Sequence, residues 1–111
     1  MKDKYGREFN DYTCIPRRLL VYMADKRYPI TPKYLLLYDI LWNTVNADWG
    51  RMKSGYPISR KILKERLGVG DKALDTMLRN LEKFGFIERI KKKKRDPNVQ
   101  VYFLTEPKKE R

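Results

Sequence analysis

The sequence predicts an α+β domain that is mainly helical and ends in a β-hairpin. Three observations support this fold class: residues 71–84 repeat apolar side chains at helical spacing, a "GVGD" turn opens this segment, and two segments rich in β-branched and aromatic residues follow it. The length of 111 residues suits one domain. We expect this domain over residues 12–105, with a flexible tail at 1–11 and a charged tail at 106–111.

The net charge of +12 is concentrated in the C-terminal half of the chain. Residues 1–58 carry 10 basic and 6 acidic side chains, whereas residues 59–111 carry 16 and 8. Such a surplus attracts a polyanion, either nucleic acid or an anionic membrane surface. The alternative is a basic protein whose charges serve only its solubility.

The residue types argue against an enzyme and against a metal site. The chain has no histidine, one cysteine (Cys14) and no Gly-rich phosphate loop. We therefore expect no catalytic residue, no metal and no cofactor. The longest apolar stretch, residues 34–42, is far shorter than the ~20 residues that cross a bilayer, and the N-terminus lacks the apolar core of a signal peptide. These features predict a cytoplasmic protein without a membrane partner.

Proline and threonine residues mark the starts of the first two predicted helices. A short helix should follow the "YTCIP" segment, with Pro16 at its first position, and "YPITP" should end it. Thr31 offers a capping hydroxyl and Pro32 a preset φ, so a second helix should run over about 32–47. Apolar residues cover most of its circumference, which predicts a helix that is central to the fold or shared with a second subunit.

A short strand and a shorter helix are expected next. Residues 47–55 should form a loop and "YPIS" a strand. Ser59 should cap a helix over 60–67, and Gly68 should end it. The inward residues of this helix are expected to be Ile62, Leu63 and Leu67.

The segment 71–84 carries the strongest helical periodicity in the chain. Gly85 should end this helix and let the chain reverse into "FIERIKK", which "KKRDPN" joins to a second strand, "VQVYFLT". The apolar residues with helical spacing are Leu74, Met77, Leu78 and Leu81.

Two helices joined by "GVGD" form a helix-turn-helix, and a basic hairpin directly after the second helix makes a winged helix, the hairpin being the wing. This interpretation places the helix over 71–84 in the major groove of double-stranded DNA, with Arg79 as the best candidate for a bidentate guanine contact. The expected base-contacting residues are Lys72, Asp75, Thr76, Arg79, Asn80 and Lys83. The expected phosphate contacts, on the preceding helix and the wing, are Arg60, Lys61, Lys64, Arg89, Lys91, Lys92, Lys93, Lys94 and Arg95.

Two carboxylates, Asp71 and Asp75, lie on the helix face that this interpretation offers to DNA. Carboxylates repel phosphates, so these two either accept a hydrogen bond from cytosine N4 or hold lysines in place. In both cases they favour a protein that selects its DNA site over one that binds any sequence.

The stretch "ITPKYLLLYDIL…YPISRKILKERLGVGDKALDTMLRNLEKFGFIERI" resembles the winged helix-turn-helix domains of Gram-positive plasmid and phage replication proteins. The lead-in "YTCIPRRLL" looks like that of plasmid initiators of the RepA N-terminal type, and DnaD-type primosome proteins are similar in architecture. The resemblance covers roughly residues 12–104, and it implies a role in replication initiation. Its "LGVG…LEKFGFIER" core is specific for the fold but only weakly specific for replication. The chain departs from the family at Gly70, where a serine cap is usual, and at Asp71, where a basic or polar residue is frequent.

Three functions remain open from the sequence. The first is sequence-specific DNA binding in plasmid or phage replication initiation, and the second is transcription repression by the same fold. The third is a winged-helix protein–protein adaptor of a replication or segregation complex, whose lysines only keep it in solution. Replication or segregation proteins are accordingly expected as further partners.

A homodimer is also expected, because one winged helix contacts one half-site and specific affinity usually needs two. The predicted DNA-binding elements cannot serve as the dimer surface, which leaves the N-terminal half. The interface residues expected there are Leu19, Leu20, Tyr22, Tyr38 and Trp42.

Overall fold

The computed structural model describes residues 15–45, 53–90 and 97–104, and within these ranges the chain forms a small α+β domain. About half of the described residues are helical, so the predicted fold class is confirmed at this level. The helices are α1 (Arg17–Ala24), α2 (Pro32–Trp42), α3 (Arg60–Leu67) and α4 (Asp71–Lys83). The strands are β1 (Lys53–Ser54), β2 (Ile58–Ser59), β3 (Ile87–Arg89), β4 (Asn98–Val99) and β5 (Val101–Phe103). Both predicted tails and the lysine run at 91–94 lie outside the described residues.

The described strands form two small antiparallel sheets. In the larger one, β5 lies between β1 and β3, and the β3–β5 register pairs Ile87 with Phe103 and Arg89 with Val101. This pairing confirms the predicted C-terminal pair of strands. In the smaller sheet, β2 pairs with β4. Along β4 and β5 the buried side chains alternate strictly, since Val99, Val101 and Phe103 are buried while the residues between them are half-buried.

The core is built around α2, which is the central helix of the fold. Five of its residues are buried, and α4 adds the four residues that its periodicity predicted, each burial contributing roughly 1.5–3 kcal/mol. The buried residues of the two helices are Tyr34, Leu37, Tyr38, Ile40, Leu41, Leu74, Met77, Leu78 and Leu81.

The predicted helix over 32–47 is too long at its C-terminal end. It ends at Trp42 because Thr44 turns the chain: its Oγ1 donates to the carbonyl of Leu41 at 2.7 Å, and its own carbonyl accepts from the amide of Tyr56 at 2.8 Å. Val45 then forms a β-bridge with Gly55. Backbone pairing with a distant segment therefore overrides the local helical pattern.

The caps of the N-terminal helices also differ from the prediction. Pro16 is the residue before α1 rather than its first residue, and the Thr31 side chain makes no capping hydrogen bond. In α3, by contrast, the Ser59 hydroxyl accepts from the amide of Ile62 at 3.5 Å, which confirms the predicted cap. Gly68 ends α3 in the left-handed conformation (φ 66°), also as predicted.

Two smaller predictions on this region are wrong. Residues 53 and 54 form β1, where a loop was expected, because they pair with Tyr102 and Phe103 across the larger sheet. Ile62 is exposed, whereas Leu63 and Leu67 are buried. Residues four apart share a helix face, and Ile62 lies about 100° from Leu63 around the helix, off that buried face.

The predicted dimer interface is wrong for two of its five residues. Leu19 and Tyr38 are buried in the core of a single chain. Trp42 is half-buried, with its ring stacked on Tyr38. Tyr22 is also half-buried, packed among three aromatic rings, and only Leu20 of the expected set is exposed. The core of the single chain includes Leu19 and Tyr38, and Tyr22 and Trp42 pack against it.

Candidate nucleic-acid interface

The turn between α3 and α4 positions the surface that the sequence assigns to DNA. Gly68 and Gly70 flank Val69, whose amide donates to the carbonyl of Lys64 at 3.1 Å and closes the end of α3. At both glycines an added Cβ would meet nothing within 4 Å, so the positive φ of Gly68, rather than crowding, is what favours glycine there. α4 then starts at Asp71 and presses its apolar face into the core.

The solvent-facing stripe of α4 is formed by residues at positions 72, 76, 79 and 83, which share one helix face. All four are exposed, as predicted. Lys72 and Arg79 form no ion pair with any other described residue, Thr76 donates its hydroxyl to the carbonyl of Lys72 at 2.9 Å, and the Lys83 Nζ lies 5.6 Å from the centre of the Phe84 ring. The stripe therefore offers three cations without an acidic partner in the described part of the chain, namely Lys72, Arg79 and Lys83.

Asn80, predicted to contact a base, is turned toward the core instead. It is half-buried, and its Nδ2 donates to the Oη of Tyr34 at 2.9 Å. A helical wheel places Asn80 beside Arg79, but the tyrosine of α2 reaches it from the neighbouring helix. Its amide is thus part of the packing between α2 and α4.

An ion-pair cluster joins α3 to the N-terminal part of α4. Arg60 contacts Asp75 at 2.7 Å and Asp71 at 3.4 Å, and Lys64 contacts Asp71 at 3.1 Å. The Lys64 ammonium, followed by the Arg60 guanidinium, holds the pKa of the Asp71 carboxyl below its usual value. Of the two roles predicted for these aspartates, the contacts match the holding of basic side chains. Lys61, the third basic residue predicted on α3, is exposed.

Arg89, predicted as a phosphate contact on the wing, is held by a residue of α4. Its backbone amide and its guanidinium both donate to the carboxylate of Glu82, at 3.2 and 3.1 Å, and both side chains are largely covered. This contact joins β3 to α4, and the carboxylate of Glu82 neutralises the charge of Arg89. The remaining wing residues, 91–95, lie outside the described residues.

One structural cation, Arg18 of α1, was missed in the sequence. Its guanidinium donates to the carbonyls of Phe84 at 3.2 Å and Gly85 at 2.8 Å and lies 4.2 Å from the centre of the Phe86 ring. Burial lowers its pKa from the ordinary arginine value. It lies 66 residues from its first partner, and no local spacing signals such a contact.

In the described ranges, no three aspartate, glutamate or cysteine side chains come together as they would around a metal ion. The helices of those same ranges are all too short or too polar to cross a membrane. No family model, no curated protein and no solved structure matches this chain.

Proposed function

We propose that this protein binds double-stranded DNA in a sequence-specific manner as a winged helix, with α4 in the major groove and the following hairpin as a phosphate-binding wing. The observation that carries the proposal is the solvent-facing stripe of α4. Its Lys72, Thr76 and Arg79 are exposed at helical spacing on a helix whose opposite face is buried. A helix anchored in this way can enter a groove about 12 Å wide without losing its packing.

The chemistry of the stripe suits base contacts. Arg79 has the planar pair of donors that matches O6 and N7 of guanine, and the hydroxyl of Thr76 can donate or accept. Lys72 and Lys83 extend the same face with further donors for base edges. The uneven charge of the chain adds to this support. Of the net charge of +12, +8 lies in residues 59–111, which include α3, α4 and the lysine run.

The biological role that we propose is the initiation of plasmid or phage replication. This part of the proposal is supported by the resemblance of "YTCIPRRLL" and "LGVG…LEKFGFIER" to replication initiators. A repressor would use the same contacts, so the genomic position of the DNA site separates the two roles. Iterated sites at an origin support initiation, whereas sites that overlap a promoter support repression.

The test combines salt-dependent binding with site selection. The protein should bind random duplexes with an affinity that falls steeply with salt, and a library of random sequences should yield a site bound at least about 10³-fold more tightly. The recovered site is then located on candidate replicons. A protein that binds neither random nor selected duplexes at low salt would be an adaptor rather than a DNA-binding protein.

We further propose that two copies bind together, each placing one α4 on a half-site. The surface that supports this is on α1, where Leu20 and Val21 are adjacent and both exposed. These residues lie outside the predicted DNA-contacting helix, so a dimer formed through them leaves both copies of α4 accessible.

A further inference from the structure

The ion-pair cluster between α3 and α4 has its anions on the outside. The side chains of Asp71 and Asp75 are 64% and 48% exposed, whereas those of their partners Lys64 and Arg60 are 30% and 21% exposed. Both cations belong to the set expected to contact phosphates. An approaching DNA backbone therefore meets two carboxylates before it meets the cations behind them.

This order of charges weakens the attraction of α3 for DNA. Arg60 already has the anionic partner that a phosphate would provide, at 2.7 Å from Asp75, and Lys64 has one at 3.1 Å from Asp71. A phosphate reaches these cations only by displacing a carboxylate that then remains close to it and repels it. In each pair the carboxylate takes the place that a phosphate would otherwise occupy beside the cation. Binding of random DNA at Arg60 and Lys64 therefore gains nothing from counterion release.

We infer that Asp71 and Asp75 are specificity-determining residues that suppress sequence-independent DNA binding by shielding Arg60 and Lys64. The inference rests on the proposed function and deepens it, because it assigns the N-terminal part of α4 to discrimination rather than to attraction. The stripe of Lys72, Thr76 and Arg79 is left unshielded, so on these two helices the side chains open to DNA are mainly those that meet base edges. A cluster that only fixes α3 against α4 would have no such effect on random DNA.

The test compares Asp75→Asn with Asp25→Asn on random duplexes over a range of salt concentrations. The control is closely matched, since Asp25 also holds an arginine at 2.7 Å, namely Arg27 in the turn between α1 and α2. Each change removes one negative charge and the partner that an arginine holds at 2.7 Å, after which Arg60 keeps only the longer contact with Asp71, at 3.4 Å. Asp75→Asn should steepen the slope of log K against log salt by up to about 0.9, the value for one added phosphate contact, and Asp25→Asn should leave it unchanged.

The double variant Asp71→Asn, Asp75→Asn should steepen this slope by about 1.8, because it frees both Arg60 and Lys64. Adding Arg60→Gln to the double variant should remove about 0.9 again, whereas Arg60→Gln in the unaltered protein should change the slope little. Thermal unfolding of each variant shows whether the fold is kept. If the double variant unfolds, the salt slope of Asp75→Asn alone tests the shielding role, since this variant leaves the contact between Asp71 and Lys64 in place.

The outcomes separate this inference from the proposed function. Equal slopes for Asp75→Asn and Asp25→Asn, or no change in either, would overturn the shielding role while DNA binding stands. The same holds if Arg60→Gln lowers the slope as much in the unaltered protein as in the double variant. If the unaltered protein binds no duplex at low salt, the proposed function fails and the shielding role fails with it.

Discussion

Asn80 of α4 donates a hydrogen bond of 2.9 Å from its Nδ2 to the Oη of Tyr34 of α2, and this contact joins the predicted DNA-contacting helix to the central helix of the core. Tyr34 is almost fully buried, and Asn80 is half-buried. The bond fixes how α4 rotates about its own axis against α2. The direction in which Lys72 and Arg79 face therefore depends on a polar contact beneath them as well as on the apolar packing.

Replacing Tyr34 by phenylalanine should lower the free energy of unfolding by about 1–2 kcal/mol, because the Asn80 amide loses its partner in a partly buried position. Urea unfolding gives the measurement. Tyr56→Phe is the matched control, since the Tyr56 side chain is exposed, and it should change the stability by less than about 0.5 kcal/mol. Equal stability of both variants with the unaltered protein would show that the bond contributes nothing.

Replacing Arg79 by alanine should weaken binding to the selected site by about 1–3 kcal/mol and should affect random duplexes much less. The reason is that a bidentate guanine contact exists only on the correct base pair. Arg17→Ala on α1, which removes another exposed arginine, serves as the control and should affect neither duplex strongly. Equal weakening on the selected and the random duplex would make Arg79 a phosphate contact.

Replacing Lys91, Lys92, Lys93 and Lys94 by alanine should weaken binding to every duplex, because phosphate contacts carry no sequence information. The slope of log K against log salt should become shallower by about 0.9 for each phosphate that the wing no longer neutralises. Lys26→Ala with Lys33→Ala removes two exposed lysines from the N-terminal half and should leave the slope as it is. An unchanged slope in the fourfold variant would show that the lysine run only keeps the turn hydrated.

Replacing Val21 by lysine should convert a dimer into a monomer, since an interface formed by α1 would have to bury the new charge. Light scattering at micromolar concentration measures the mass with and without DNA. Ile62→Lys places the same charge on another exposed apolar position, on α3, and should leave the mass unchanged. If the unaltered protein is monomeric under both conditions and binds a single half-site at full affinity, the proposed dimer is wrong.

Local signals in the sequence predicted the C-terminal half of the fold well. The burial of Leu74 and Leu78 follows from helical spacing, and the end of α3 at Gly68 follows from the backbone freedom of glycine. The Ser59 cap needs only the amide of Ile62, three residues away. Each of these features is decided within one or two turns of chain, where side-chain chemistry and helix geometry suffice.

The features that the sequence did not predict depend on partners far along the chain. The pairing of residues 53 and 54 with β5 spans about fifty residues, and neither residue has a strong preference for a strand. The candidate site shows the same limit. Periodicity identified which α4 residues face away from the apolar stripe, but it could not show that Tyr34 reaches Asn80 or that Arg60 reaches Asp75.

The hydrogen bonds from the Arg18 guanidinium to the carbonyls of Phe84 and Gly85 have a consequence for the hydrogen exchange of nearby backbone amides. The amides of Phe84, Gly85 and Phe86 close the last turn of α4 by donating back into the helix, and this turn is held from outside by α1. Arg18→Gln should therefore speed exchange at these three amides while the amide of Leu74, in the first turn, keeps its protection. The lifetime of the closed junction between α4 and β3 should thus depend on a side chain of α1, near the start of the described residues.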